Sequence, residues 1–106
     1  MKIVVTLPGG ETKIVNAVPG NTVMDTMRVA RLPVRAECGG AMACATCHVV
    51  VDPEWVGKVG RPGDEESDLL EESIYKTDAS RLACQIIIKD ALDGLRVALQ
   101  PDAFEE

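Results

Sequence analysis

Cys38, Cys44 and Cys47 fall within one short run, Cys38-Gly39-Gly40-Ala41-Met42-Ala43-Cys44-Ala45-Thr46-Cys47, and the chain's only other cysteine is the distant Cys84. That layout asks for a metal cluster. Four thiolates complete the ligand set of an iron–sulfur centre, and such centres accept three ligands from one loop and a fourth from elsewhere. A loop that wraps a cluster must aim backbone N–H groups at sulfur and tolerate unusual φ values. Gly39, Gly40, Ala41, Ala43 and Ala45 are small enough for that, and with Thr46 they are the candidates for holding the sulfurs.

Other uses of four cysteines fit less well. Two disulfides suit a short secreted chain. Here Met1-Lys2-Ile3-Val4-Val5 runs too soon into Pro8-Gly9 to serve as the apolar core of a signal peptide, so a reducing, cytoplasmic setting is expected. A Cys44/Cys47 redox pair leaves Cys38 and Cys84 without a role. Structural zinc usually takes two closely spaced cysteine couples rather than three cysteines and one. A Rieske centre needs two histidines, and His48 is the only one. The spacing favours an iron–sulfur cluster, with zinc, a redox pair and disulfides as the alternatives.

A length of 106 residues allows one domain with a modest core, residues 1–106, and no separate substrate domain. Apolar residues make up 46% of the chain, yet no stretch approaches the length of a membrane span. Seventeen acids against eleven bases give a formal charge of −6 before any cluster is counted. Such a surface repels nucleic acid and anionic membranes and attracts a basic protein patch.

The apolar pattern predicts a strand over Lys2–Leu7, a turn at Pro8-Gly9-Gly10 and a second strand over Thr12–Val18. Asn21 or Thr22 can cap a helix with Val23, Met27 and Ala30 at helical spacing, stopped near Arg31 by Pro33. After the cysteine loop, His48–Val51 reads as a buried strand. Pro53–Val56 reads as a helical turn, Gly57–Gly63 as loop and Asp64–Ser73 as a short helix. Arg81–Ile88 is expected to be a strand carrying Cys84, followed by a turn at Asp90–Gly94 and a last strand over Leu95–Leu99. Elements in this order suggest an α+β fold with a mixed sheet.

Three side chains near the cysteines invite roles. His48 follows Cys47 directly, which suits a hydrogen-bonded core histidine, a link from the ligand loop to the rest of the fold, or both. Arg81 is expected to pair with a carboxylate near the strand of Cys84. Trp55 is expected to pack on the sheet, while Tyr75 suits either a hydrogen bond or an interface contact. The run Asp64-Glu65-Glu66-Ser67-Asp68-Leu69-Leu70-Glu71-Glu72 is acidic throughout. Acids in a first helical turn complement the macrodipole, but Glu71 and Glu72 near the other end do not, so stability alone does not explain the run.

With these residues in view, the pattern Cys38, Cys44, Cys47, Cys84, with Ala45-Thr46-Cys47-His48 and Arg81-Leu82-Ala83-Cys84-Gln85 around the ligands, resembles the adrenodoxin/putidaredoxin branch of [2Fe-2S] ferredoxins over essentially the whole chain. The resemblance implies a β-grasp fold, with a helix packed across a mixed sheet, and one [2Fe-2S] cluster near the surface. It implies that Cys38 and Cys44 hold one iron and Cys47 and Cys84 the other. It further implies a monomeric one-electron carrier, not an enzyme, that runs from an FAD-dependent ferredoxin reductase to a haem-thiolate monooxygenase of the cytochrome P-450 type. Supply of electrons to iron–sulfur cluster assembly is the alternative. In this family the acidic segment docks basic partners, which nominates Asp64, Glu65, Glu66, Asp68 and Glu71. The aromatic Phe104 near the terminus is similar to one that meets the oxidase, and the tail from residue 103 onward is expected to serve binding more than folding, with a hydrophobic lid on the sheet edge as the alternative.

Overall fold

The computed structural model describes residues 1–32, 34 and 47–103. Cys38, Cys44, Gly39, Gly40, Ala41, Ala43, Ala45, Thr46 and Phe104 therefore lie outside the described residues.

Among the described residues, five strands form one mixed sheet in the order β2-β1-β5-β3-β4. Strands β1 (Lys2–Thr6) and β2 (Thr12–Asn16) make the expected antiparallel hairpin. Its turn is closed by the Leu7 N–H on the Glu11 carbonyl at 2.7 Å and the Gly10 N–H on that of Leu7 at 2.8 Å. Strand β5 (Arg96–Leu99) lies parallel to β1 and antiparallel to β3 (His48–Val51), which pairs antiparallel with β4 (Ser80–Leu82). Period-two alternation buries Ile3 and Val5 of β1 and Val97 and Leu99 of β5. With Val49 and Val51 they belong to one hydrophobic cluster.

Helix α1 (Val23–Val29) starts where Thr22 caps it, its hydroxyl accepting from the Asp25 N–H at 3.0 Å. Val23, Met24 and Met27 go into the core, and the helix closes at Ala30 and Arg31, the latter in the left-handed region at φ 60°. Among the described residues no helix is long and apolar enough to cross a membrane.

Two of the expected elements need correction. The segment read as a turn at Pro53–Val56 followed by loop contains helix α2 at Val56–Val59, ended by Gly60 at φ 87°. Trp55 precedes it, packs against the core from a half-buried position, and has Lys58 Nζ 4.7 Å from its ring centroid. The single strand expected over Arg81–Ile88 is instead the short β4 followed by a 3₁₀ turn at Ala83–Gln85. Beyond that turn the chain serves α1 rather than the sheet. Val23 N–H donates to the Ile86 carbonyl at 2.9 Å, and Ile88 N–H to that of Asn21 at 2.7 Å.

Helix α3 (Asp64–Glu71) buries Leu70 completely and places Asp64, Glu65 and Glu66 in its first turn. At the chain's end, Ala103 closes a 3₁₀ turn (Pro101–Ala103) and has no exposed surface. Ala103 is thus part of the fold, which corrects, for that residue, the expectation that the chain from residue 103 onward serves binding more than folding.

Candidate metal centre

Cys47 stands immediately before β3, and the β3–β4 ladder sets its address. His48 faces Leu82 in register, and Ala83 N–H donates to the Cys47 carbonyl at 3.0 Å, so pairing runs one residue past both strands. At that point the chain turns through Ala83–Gln85 and brings Cys84 beside Cys47. Cys47 is fully buried and Cys84 is 6% exposed. No disulfide joins them, and their side chains are hydrogen-bonded to each other.

That bond is the main reason the Cys84 thiol is held at about 6, down from an ordinary 9.0. Burial and the nearby Glu66 carboxylate push the other way, and the Gln85 amide, whose Nε2 donates to Cys84 Sγ at 3.4 Å, adds to the lowering. A buried pair of sulfurs that favours a thiolate suits a soft, thiolate-ligated metal. Among the described residues, Cys47 and Cys84 thus form a pair of donors that fits part of the thiolate set an iron–sulfur group needs.

His48 is fully buried and joins β3 to the chain beyond α3. One ring nitrogen, Nε2, is 2.7 Å from Ser80 Oγ, and the other, Nδ1, is 3.3 Å from Ser73 Oγ. Ser80 Oγ also accepts the Thr77 N–H at 2.8 Å, and Ser73 Oγ the Tyr75 N–H at 3.1 Å. His48 is thus the hydrogen-bonded core histidine that was expected, and it ties the residue after Cys47 to two neighbouring segments.

Arg81 finds its carboxylate in Glu66. Its Nε donates to Glu66 Oε2 at 2.6 Å and its Nη2 to Oε1 at 3.3 Å, while the Leu82 N–H reaches Oε2 at 2.8 Å. The remaining guanidinium donors go to the carbonyls of Val59, Gly60 and Gln85. One side chain therefore binds α2, α3, β4 and the Cys84 turn. This overturns the docking role expected of Glu66, which is 3% exposed. A carboxylate already saturated by a guanidinium and a backbone N–H has nothing to offer a partner.

The other four nominated acids, Asp64, Glu65, Asp68 and Glu71, are exposed on α3. Glu71 is paired with Lys76, which offsets part of the unfavourable charge at the end of the helix. The residues that the sequence reading missed are Ser73, Ser80 and Gln85. Only Gln85 carried a sequence signal, as the neighbour of Cys84.

The fold and this thiol site define a β-grasp iron–sulfur protein. Residues 6–89 match the model of the 2Fe-2S iron–sulfur cluster binding domain. The chain is 39% identical over 99 residues to the mitochondrial adrenodoxin homolog of Saccharomyces cerevisiae, covering 93% of this chain and 58% of that protein. Its structure is similar to that of a ferredoxin from Rhodopseudomonas palustris HaA2, with 36% identity and a TM-score of 0.91 over 97% of this chain and 99% of that one. It is similar also to reduced putidaredoxin from Pseudomonas putida, with 30% identity and a TM-score of 0.88 over 95% and 97% of the two chains. Putidaredoxin matches again in its covalent complex with putidaredoxin reductase.

The chain belongs to the adrenodoxin/putidaredoxin-type [2Fe-2S] ferredoxins, which bind one [2Fe-2S] cluster and carry electrons rather than catalyse a reaction of their own. When bound, the cluster supplies reversible one-electron chemistry, and the chain's residues tune it by burial, charge and hydrogen bonds to sulfur.

Proposed function

We propose that this ferredoxin takes electrons from an FAD-dependent ferredoxin reductase and delivers them to a cytochrome P-450 type monooxygenase, as a cytoplasmic monomer. One observation carries the reading. Helix α3 turns Asp64, Glu65, Asp68 and Glu71 outward while its inward-facing Glu66 is bonded to the strand that leads into Cys84. The charged face and the ligand turn thus form one rigid unit. A basic partner drawn to this face by long-range attraction is held close to the ligand turn, which is what electron transfer requires. The reductase complex of the similar putidaredoxin supports the first partner. Phe104 is proposed as a further contact with the oxidase.

Reconstitution tests the proposal. The purified holoprotein, an FAD-containing ferredoxin reductase and a P-450 type oxidase should support substrate turnover that depends on ferredoxin concentration. Efficient reduction by the reductase without turnover by any P-450 type oxidase would reject the monooxygenase role and leave supply of electrons to cluster assembly as the reading to pursue.

A further inference from the structure

Gln85 is the residue after a cluster ligand, and its placement gives it work that a neighbour in sequence need not have. Its backbone is fixed twice: the carbonyl accepts from Arg81 Nη2 at 3.3 Å, and the residue ends a 3₁₀ turn closed by the Ile86 N–H on the Ala83 carbonyl at 3.3 Å. From that anchor the carboxamide folds back, so that Nε2 donates to Cys84 Sγ at 3.4 Å. The side chain is only half-buried and lines a shallow hollow with Gly63, Asp64 and Glu65 at the start of the acidic helix.

We infer that the Gln85 carboxamide is a positioning residue that sets the reduction potential of the bound cluster through its N–H···S bond to Cys84. Reduction by one electron raises the negative charge shared by the ligand sulfurs, and a hydrogen-bond donor stabilises the more negative state more than the less negative one. The N–H donor is retained throughout, so no proton changes hands. The donor also opposes the field of Glu66, whose carboxylate lies close enough to Cys84 to act on it. Because Gln85 borders the first turn of α3, a partner seated on that helix would cover it and strengthen the bond by excluding water.

Two measurements on the holoprotein decide the point. Gln85→Leu should keep the cluster and show a lower midpoint potential than the unaltered protein. Gln85→Glu at neutral pH should lie lower still, because a carboxylate removes the donor and adds a negative charge. Independently of any variant's folding, the unaltered protein labelled with side-chain ¹⁵N glutamine should show hyperfine coupling of one ¹⁵N nucleus to the reduced cluster in pulsed electron paramagnetic resonance. The only other glutamine is Gln100, whose amide donates to the Ala98 carbonyl at 3.0 Å. A Gln85→Leu midpoint equal to that of the unaltered protein, or absence of side-chain ¹⁵N coupling, would overturn the inference.

Discussion

Glu66 and Arg81 meet inside the protein through two hydrogen bonds, Nε to Oε2 at 2.6 Å and Nη2 to Oε1 at 3.3 Å. The pair joins the acidic helix to β4, the strand that leads into the turn carrying Cys84. Removing one member of such a pair leaves the other as an uncompensated buried charge, at a cost of about 3–5 kcal/mol. Arg81→Met should therefore lower the melting temperature of the holoprotein by about 10 °C or more. Adding Glu66→Leu should recover much of the loss, because the stranded charge is then gone. Scanning calorimetry checks both, and an Arg81→Met melting point within a few degrees of the unaltered protein contradicts the role.

Asp68 and Glu71 are exposed, so reversing their charge is expected to act on the proposed docking more than on folding. The double change Asp68→Lys, Glu71→Lys should slow reduction by a ferredoxin reductase by on the order of tenfold at low ionic strength. In stopped-flow measurements the difference should close as salt screens the wild-type attraction. A midpoint potential that moved in step with the rate would show that these acids act on the cluster instead.

His48 has no exposed surface, and each ring nitrogen meets a serine hydroxyl. His48→Phe discards both bonds at a cost of about 1–3 kcal/mol. The link between the residue after Cys47 and the segments of Ser73 and Ser80 is then lost. Visible absorbance of the cluster should bleach faster on warming than in the unaltered protein. Equal bleaching rates would mean that the ring only fills space.

Ala103 is built into the fold. Its N–H donates to the Gln100 carbonyl at 3.0 Å and it is fully buried. Deleting residues 103–106 should cost on the order of 1 kcal/mol more than deleting 104–106. Loss of 104–106 should weaken oxidase binding and leave reduction by the reductase normal. Unchanged oxidase turnover at limiting ferredoxin would remove Phe104 from the interface.

Metal content is the simplest check on the site. Native protein should hold two irons and two acid-labile sulfides, since four thiolates match one binuclear cluster. Cys84→Ala should lose the visible spectrum. Stoichiometric zinc in native protein would contradict the assignment.

The chemistry was legible in the sequence because thiolate count and spacing are local, one-dimensional facts. The hairpin, α1 and α3 were legible for the same reason, since their alternation, caps and first-turn acids lie within a few residues of one another. Arg81 could be assigned a carboxylate partner on charge alone, but not which one. That was decided by the tertiary structure. The six-acid run looks uniform as text, and only the orientation of α3 against β4 sends Glu66 inward to a guanidinium and leaves Asp64, Glu65, Asp68 and Glu71 in solvent. The same holds for the apolar segment after Arg81. Its β-branched residues read as one strand, but Ile86 and Ile88 are claimed by hydrogen bonds to the start of α1, so the chain must turn at Ala83–Gln85. That turn puts Cys84 beside Cys47 and sends the Gln85 amide back to its sulfur. Composition and spacing single out the four cysteines; contacts between segments distant in the chain decide which charges are buried and which donors reach the Cys84 sulfur.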